Sequence, residues 1–115
     1  MKKYIALMLL LPIGMVAQER TLKRAEKNFE QQSYISAIKI YQDLAESGIG
    51  SDQIYEKLGD ANYYNANYLQ AEKWYSKRYE LKGTFPSEFL YRYGQSLKSA
   101  GKEEFAQQIL AQYAK

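Results

Sequence analysis

The side chains that most often carry chemistry in proteins are missing from this chain. Its 115 residues contain no cysteine and no histidine. Their absence removes disulfides, thiolate nucleophiles, the commonest general base and the commonest metal ligands. Serine hydroxyls therefore have no histidine to activate them. The composition indicates that the chain is not an enzyme, and carboxylates are the remaining candidates for a site.

The carboxylates do not form a catalytic or metal-binding pattern. Asp52, Glu56 and Asp60 are spaced four residues apart, so one helix face would carry all three. They could bind a hard cation, but no oxygen-rich loop adjoins them to complete the coordination shell. Glu103 and Glu104 are neighbours, which on a helix point about 100° apart and do not form an acid–base pair. The sequence predicts no catalytic residue, no cofactor and no metal site.

The elements around these residues are helices that come in pairs. Between residues 52 and 83, apolar residues recur three or four apart on both sides of Asn65-Ala66-Asn67, which predicts a helix, a turn and a second helix. Ser51 or Asp52 can cap the first helix. Gly83, like Gly48 before it, offers a left-handed C-cap. No stretch alternates with period two for long enough to be a strand.

This helix pair is repeated along the chain. The segments NFEQQSYISAIKIYQDLAE and YYNANYLQAEKWYSKRYEL align at a shift of 34 residues. The matched residues are Tyr34 and Tyr68, Ala37 and Ala71, Tyr41 and Tyr75, and Ala25 and Gly59. A third, weaker copy is offset by 35 residues and has Gly94, Ala106, Leu110 and Tyr113 at its marker positions. One helix pair cannot bury its apolar face alone, so stacking of the copies must supply the core.

The copies resemble tetratricopeptide repeats (TPRs). That family places an aromatic residue, Leu-Gly and Tyr on the first helix, and Ala and an aromatic residue on the second. The corresponding residues are Tyr55, Leu58-Gly59, Asn62, Ala71 and Tyr75 in the second copy, Leu90, Tyr93-Gly94, Leu97, Ala106 and Leu110 in the third, and Thr21, Arg24-Ala25, Asn28, Ala37 and Tyr41 in the degenerate first copy. The resemblance covers roughly residues 18–115.

The resemblance implies an all-α TPR solenoid of three helix-turn-helix repeats, about six helices, after an N-terminal signal helix. The domains expected are a signal peptide at 1–17, a degenerate repeat at 18–51, a second repeat with its junction at 52–86 and a third at 87–115. Small residues are expected where helices cross, at Ala25, Gly59 and Gly94 on the first helices and Ala37, Ala71 and Ala106 on the second. Bulky Tyr41, Tyr75 and Leu110 are expected to pack into the next repeat.

In this family the first helices line a concave face that usually binds an extended peptide or a partner's helix. The groove positions carried over are Glu26, Phe29, Glu56, Asp60, Tyr63, Tyr64, Tyr91 and Gln95, with Leu22, Glu30, Lys98 and Ser99 beside them. The expected groove is acidic and aromatic, which would repel a C-terminal carboxylate and suit a neutral or basic segment with apolar anchors. Tyr63 and Tyr64 are candidate hot spots. The alternative is that the carboxylates are a solvated face and Tyr63 is partly core.

The N-terminus predicts a secretory signal. Lys2 and Lys3 precede an apolar stretch from Tyr4 to Leu11, and a small residue, Ala17, provides a cleavage site. An uncleaved anchor or a buried helix is the alternative, but the apolar stretch is shorter than the roughly 20 residues of a membrane span. Without a cysteine the signal is not that of a lipoprotein. Cleavage would leave 14 Lys and Arg against 13 Asp and Glu, so we expect no nucleic acid partner.

The other end predicts a second contact surface. Phe105, Ile109, Leu110 and Tyr113 would leave an apolar edge on the last helix. A longer parent protein, self-association or an external partner would each cover it.

A signal followed by TPRs is similar in layout to the N-terminal TPR region of Bacteroidota envelope proteins of the OmpA family, some of which are associated with type IX secretion. The leading hypothesis is an exported interaction scaffold, in the periplasm or at the outer membrane, that docks a partner polypeptide. The alternatives are a structural module of a larger peptidoglycan-associated protein and a helical spacer of a cell-wall enzyme.

Overall fold

Six helices make up the described part of the chain. The computed structural model describes residues 17–115, and the predicted signal segment lies outside that range except for Ala17. Helix α1 covers residues 17–30 of this range. The others are α2 (Tyr34–Glu46), α3 (Asp52–Tyr64), α4 (Tyr68–Glu80), α5 (Ser87–Ser99) and α6 (Glu103–Tyr113). No strand occurs within residues 17–115, so the expected all-helical class is confirmed.

The helix ends follow local signals in the sequence. The Ser51 hydroxyl accepts a hydrogen bond of 3.3 Å from the backbone N–H of Ile54 and so caps α3. Gly48 follows α2 with a φ of +82°, and Ile49 N–H donates to the carbonyl of Leu44 as in a Schellman turn. At the end of α4, Lys82 already has a φ of +61° before Gly83, so the left-handed turn begins one residue earlier than the sequence predicts.

The helices stack in chain order, and α3 is the central one. It packs on α2 and α4 and also contacts α5. Two core clusters result. The first is formed by α1–α4 and contains Ala25, Ala37, Tyr41, Leu44, Ile54, Leu58 and Trp74. The second is formed by α4–α6 and contains Ala71, Tyr75, Phe89, Leu90, Tyr93, Leu97, Ala106 and Ile109. Since each repeat contributes to a core shared with its neighbour, stacking supplies the burial that one helix pair lacks.

The two helices of each later repeat cross at a glycine. A Cβ added at Gly59 would overlap the ring of Tyr75, and one added at Gly94 would overlap the side chain of Leu110. The four alanines expected at crossings, namely Ala25, Ala37, Ala71 and Ala106, are all fully buried. Close approach of helix backbones therefore depends on small residues at the same point of each repeat.

The C-terminal edge differs from the sequence expectation. Ile109 is fully buried in the second core cluster, because its position on α6 faces α5 rather than the outside. Phe105 and Leu110 are half-buried, and Tyr113 is 45% exposed. The edge is therefore narrower than predicted and does not include Ile109.

The two glycine crossings predict different tolerance to alanine. We expect Gly59→Ala to lower the free energy of unfolding by about 1–3 kcal/mol, because the Tyr75 ring is buried and cannot move aside. Gly94→Ala should cost less than about 1 kcal/mol, because it meets the flexible end of Leu110. Chemical denaturation of both variants measures the difference. Equal stability of wild type and Gly59→Ala would contradict the crossing described here.

Candidate functional site

A row of aromatic rings follows the turns between the two helices of the first two repeats. Phe29 and Tyr34 meet edge to face with ring centroids 5.5 Å apart, and their repeat equivalents Tyr63 and Tyr68 do the same at 5.4 Å. Tyr64 joins the two pairs, because its ring stacks on Tyr34 at 5.7 Å. We call these five residues the tyrosine stripe. The same intrarepeat contact recurs because the turn geometry recurs.

Much of the tyrosine stripe faces solvent. Tyr64 is 48% and Tyr68 40% exposed, while Phe29, Tyr34 and Tyr63 are half-buried. The residues that follow Tyr34 and Tyr68 are exposed apolar side chains, Ile35 and Leu69. Each of the two turns is thus followed by a tyrosine of the stripe and by an exposed aliphatic residue.

Tyr63 has a double role. It packs against the second core cluster, and burial is the main cause that raises the pKa of its hydroxyl. Tyr63 is thus partly core, as the alternative interpretation of the sequence held, while its neighbour Tyr64 is the exposed ring of the pair.

Asp60 is part of a buried ion pair and is not a free groove carboxylate. Its Oδ1 accepts a hydrogen bond of 2.6 Å from the Tyr75 hydroxyl and one of 3.0 Å from Nε of Arg92. Asp60 is only 7% exposed, and burial, followed by the nearby Asp60, raises the pKa of Tyr75. The Arg92 guanidinium also donates to the Tyr64 hydroxyl at 3.2 Å. The expectation of a freely acidic groove is therefore wrong at Asp60, because its charge is neutralised.

Arg92 was missed by the sequence reasoning. It stands 32 residues after Asp60, on α5, and the expected groove positions of that helix were Tyr91 and Gln95. Only its alignment with Lys57, 35 residues earlier, gave any signal that a cation recurs at this point of the repeat.

Tyr41 on α2 and Glu56 on α3 each have a buried polar atom without a hydrogen-bond partner among residues 17–115, namely the Tyr41 hydroxyl and Oε1 of Glu56. Burial, followed by the nearby carboxylates of Glu26, Asp60 and Glu30, raises the pKa of Tyr41 to about 12. Burial and then Asp60 also raise the pKa of Glu56, against the opposing effect of nearby cations. The two groups thus lie in different electrostatic surroundings.

Tyr91, an expected groove residue of α5, lies close enough to Tyr63 to raise the pKa of that hydroxyl, after the larger effect of burial. The Tyr91 ring, 42% exposed, pairs with Tyr113 at a centroid distance of 5.3 Å. Together with Ser87, Glu88 and Arg92 they line a shallow cavity of about 210 Å³. Gln95 is half-buried one turn further along α5.

Across residues 17–115, no three His, Cys, Asp or Glu side chains are grouped so as to hold a metal ion. None of the helices in the same range combines the length and apolar character needed to cross a membrane.

Comparison with known proteins identifies the fold. No protein-family model matches the sequence, and no curated protein matches it. The structure is similar to the crystal structure of the C-terminal part of a TPR repeat-containing protein from Cytophaga hutchinsonii, with a TM-score of 0.71 and 22% sequence identity. The match covers 80% of this chain and 36% of that one. The predicted TPR solenoid fold is thereby confirmed, and the chain spans only about a third of the length of that crystallised C-terminal part.

The two repeat-equivalent tyrosines should respond differently to loss of the hydroxyl. Tyr75→Phe removes a hydrogen bond to the buried Asp60, and such bonds to charged groups contribute about 1.5–3 kcal/mol. Tyr41→Phe removes a buried hydroxyl that has no partner within residues 17–115, so the free energy of unfolding should stay unchanged or rise. Denaturant unfolding of both variants tests this. A loss at Tyr41 as large as at Tyr75 would contradict the contrast.

Glu56 should make stability depend on pH. Because its pKa is raised in the folded state from 4.5, its stabilising contribution is full below that value and is lost as pH rises through the folded pKa. Glu56→Gln should therefore melt at a higher temperature than wild type at about pH 7, with the gain shrinking toward about pH 4. Glu104→Gln, at an exposed position of α6, is the control. The same response from both variants at both pH values would refute the assignment.

Proposed function

We propose that this chain is an exported TPR interaction scaffold of the bacterial envelope that docks a partner polypeptide along the tyrosine stripe. The observation that carries the proposal is the solvent-facing row of rings across two repeats, flanked by the exposed Ile35 and Leu69. The TPR fold itself suggests a protein–protein interaction module. Aromatic side chains provide large contact areas at low entropic cost and are enriched among interface hot spots.

The surface favours an extended segment with apolar side chains. Tyr64 and Tyr68 are both exposed, so each can contact apolar groups with its ring and donate a hydrogen bond to a peptide backbone from its hydroxyl. Because the stripe follows the repeat, apolar side chains of the partner should be spaced to match successive turns. Within residues 17–115, Glu26, Glu30 and Glu56 form no ion pair, and these carboxylates disfavour an acidic segment.

Export is supported by the sequence of the N-terminus. Lys2 and Lys3, the apolar stretch after them and Ala17 match a cleavable signal, and the mature chain would begin at Gln18. We place the protein in the periplasm or at the outer membrane.

A second candidate is a structural module that packs on further domains or on another copy. The exposed Tyr91–Tyr113 pair and the half-buried Phe105 near the end of the solenoid favour it. In that case the last repeat, rather than the tyrosine stripe, would be the contact surface, as in the N-terminal module of a larger peptidoglycan-associated protein or a spacer beside a cell-wall enzyme.

Capture of partners by C-terminally tagged full-length chain, expressed in an envelope-bearing host, tests the proposal. Tyr64→Ser with Tyr68→Ser should weaken capture at least about tenfold, because hot-spot tyrosines contribute about 2 kcal/mol each. Both positions are exposed, so the fold should persist. Tyr113→Ser is the matched control and should leave capture intact.

The opposite pattern would favour the structural module. If Tyr113→Ser abolishes capture while the Tyr64 and Tyr68 variant retains it, the last repeat is the interface. The intact mass of the purified bait tests export at the same time, since a chain beginning at Gln18 is expected. A bait that keeps Met1 would contradict cleavage.

A further inference from the structure

The buried ion pair of the second repeat has a counterpart in the first repeat. Asp60, Tyr75 and Arg92 form the closed group described above. Subtracting the repeat shifts of 34, 34 and 35 residues leads to Glu26, Tyr41 and Lys57. The same three residue types, an acid, a buried tyrosine and a cation, therefore recur at the junction of α1 with α2 and α3. We call the first set the closed triad and the second the open triad.

The open triad lacks the contacts that complete the closed one. The Lys57 ammonium lies over the ring of Phe29, 4.4 Å from its centroid, instead of pairing with a carboxylate. The Tyr41 side chain is fully buried, and its hydroxyl has no hydrogen-bond partner among the described residues 17–115. This hydroxyl thus remains without the partner that burial normally requires.

Two carboxylates of α1 act on the Tyr41 hydroxyl. After the larger effect of burial, Glu26 and Glu30 raise its pKa, as does Asp60, and within residues 17–115 neither Glu26 nor Glu30 forms an ion pair. Glu26 is half-buried and Glu30 is exposed. Glu30 stands 34 residues before Tyr64, whose hydroxyl accepts from Arg92 beside the closed triad. Lys57, the cation of the open triad, lies over Phe29 and is not paired with either carboxylate.

We propose that the open triad is a subsite for an arginine or lysine side chain of the docked polypeptide. In the closed triad the cation is the Arg92 guanidinium. Its Nε lies 3.0 Å from Oδ1 of Asp60, and the guanidinium lies over the ring of Tyr64 in the tyrosine stripe. In the bound state Glu26 takes the role of Asp60, accepting from the Tyr41 hydroxyl and from the incoming cation. Glu30, at the position equivalent to Tyr64, is the second carboxylate of the subsite. This inference rests on the proposed function, because it names the chemistry of the segment that the scaffold docks.

Nα-acetyl-arginine amide is the probe, and Nα-acetyl-citrulline amide is its neutral isostere. Full-length chain labelled with nitrogen-15 is titrated with each at neutral pH and low salt, and amide shifts are followed by NMR. The arginine probe should give saturable shifts on α1 near Glu26 and Glu30, which the citrulline probe should not give. Glu26→Gln and Glu30→Gln should each weaken binding about tenfold. Glu104→Gln, on the exposed face of α6, should leave it unchanged.

Several results would overturn the subsite. They are the absence of saturable shifts, equal shifts from the citrulline probe, shifts centred on Asp60 and Arg92, or an equal loss in Glu104→Gln. Should Glu26→Gln not fold, Glu30→Gln decides, because Glu30 is exposed and its substitution should leave the fold intact. Arginine binding without tyrosine-dependent capture would retain the subsite and reject the proposed function. Capture that needs Tyr64 and Tyr68 but is unaffected by Glu26→Gln and Glu30→Gln would do the reverse.

Discussion

The close crossing of the two helices in each repeat is the constraint on which the rest of this structure depends. At Gly59 the missing Cβ lets the Tyr75 ring lie directly against α3. That position brings the Tyr75 hydroxyl to Asp60, and Asp60 in turn holds Arg92 of the next repeat. A steric feature of one residue thus determines where a buried charge is placed and how consecutive repeats are joined. The Gly94 crossing with Leu110 repeats the steric part but not the polar part.

Neighbouring repeats differ in whether their buried polar groups have hydrogen-bond partners. In the closed triad every member has a partner, so the ion pair tolerates burial. In the open triad the Tyr41 hydroxyl is buried without a partner inside residues 17–115, which disfavours the folded state. Sites that bind ligands often keep such unfavourable groups, because a bound partner can satisfy them. The same residue types thus have a structural role in the closed triad and the proposed binding role in the open triad.

The tyrosine stripe links the fold to the proposed function. Its rings contact one another across the turn between helices and across the junction of repeats, so they are held in place before any partner arrives. Pre-organised aromatic surfaces lose little conformational entropy on binding. The TPR fold suggests a protein partner. We propose that this partner docks on the tyrosine stripe and that one of its arginine or lysine side chains binds at the open triad. The proposed cellular location rests on the N-terminal sequence.

Sequence alone determined the features that depend on local spacing. The 34-residue shift predicts the helix pairs, the turn at Asn65-Ala66-Asn67 and the small residues at crossings, because each follows from helical periodicity and side-chain size within one repeat. Only the tertiary structure decided which charges pair. Asp60 and Arg92 are 32 residues apart and meet because consecutive repeats stack, whereas Lys57 at the equivalent position lies over Phe29. Ile109 is buried for a similar reason, since the rotation of α6 against α5 is set by packing at Gly94 and not by the sequence pattern of α6.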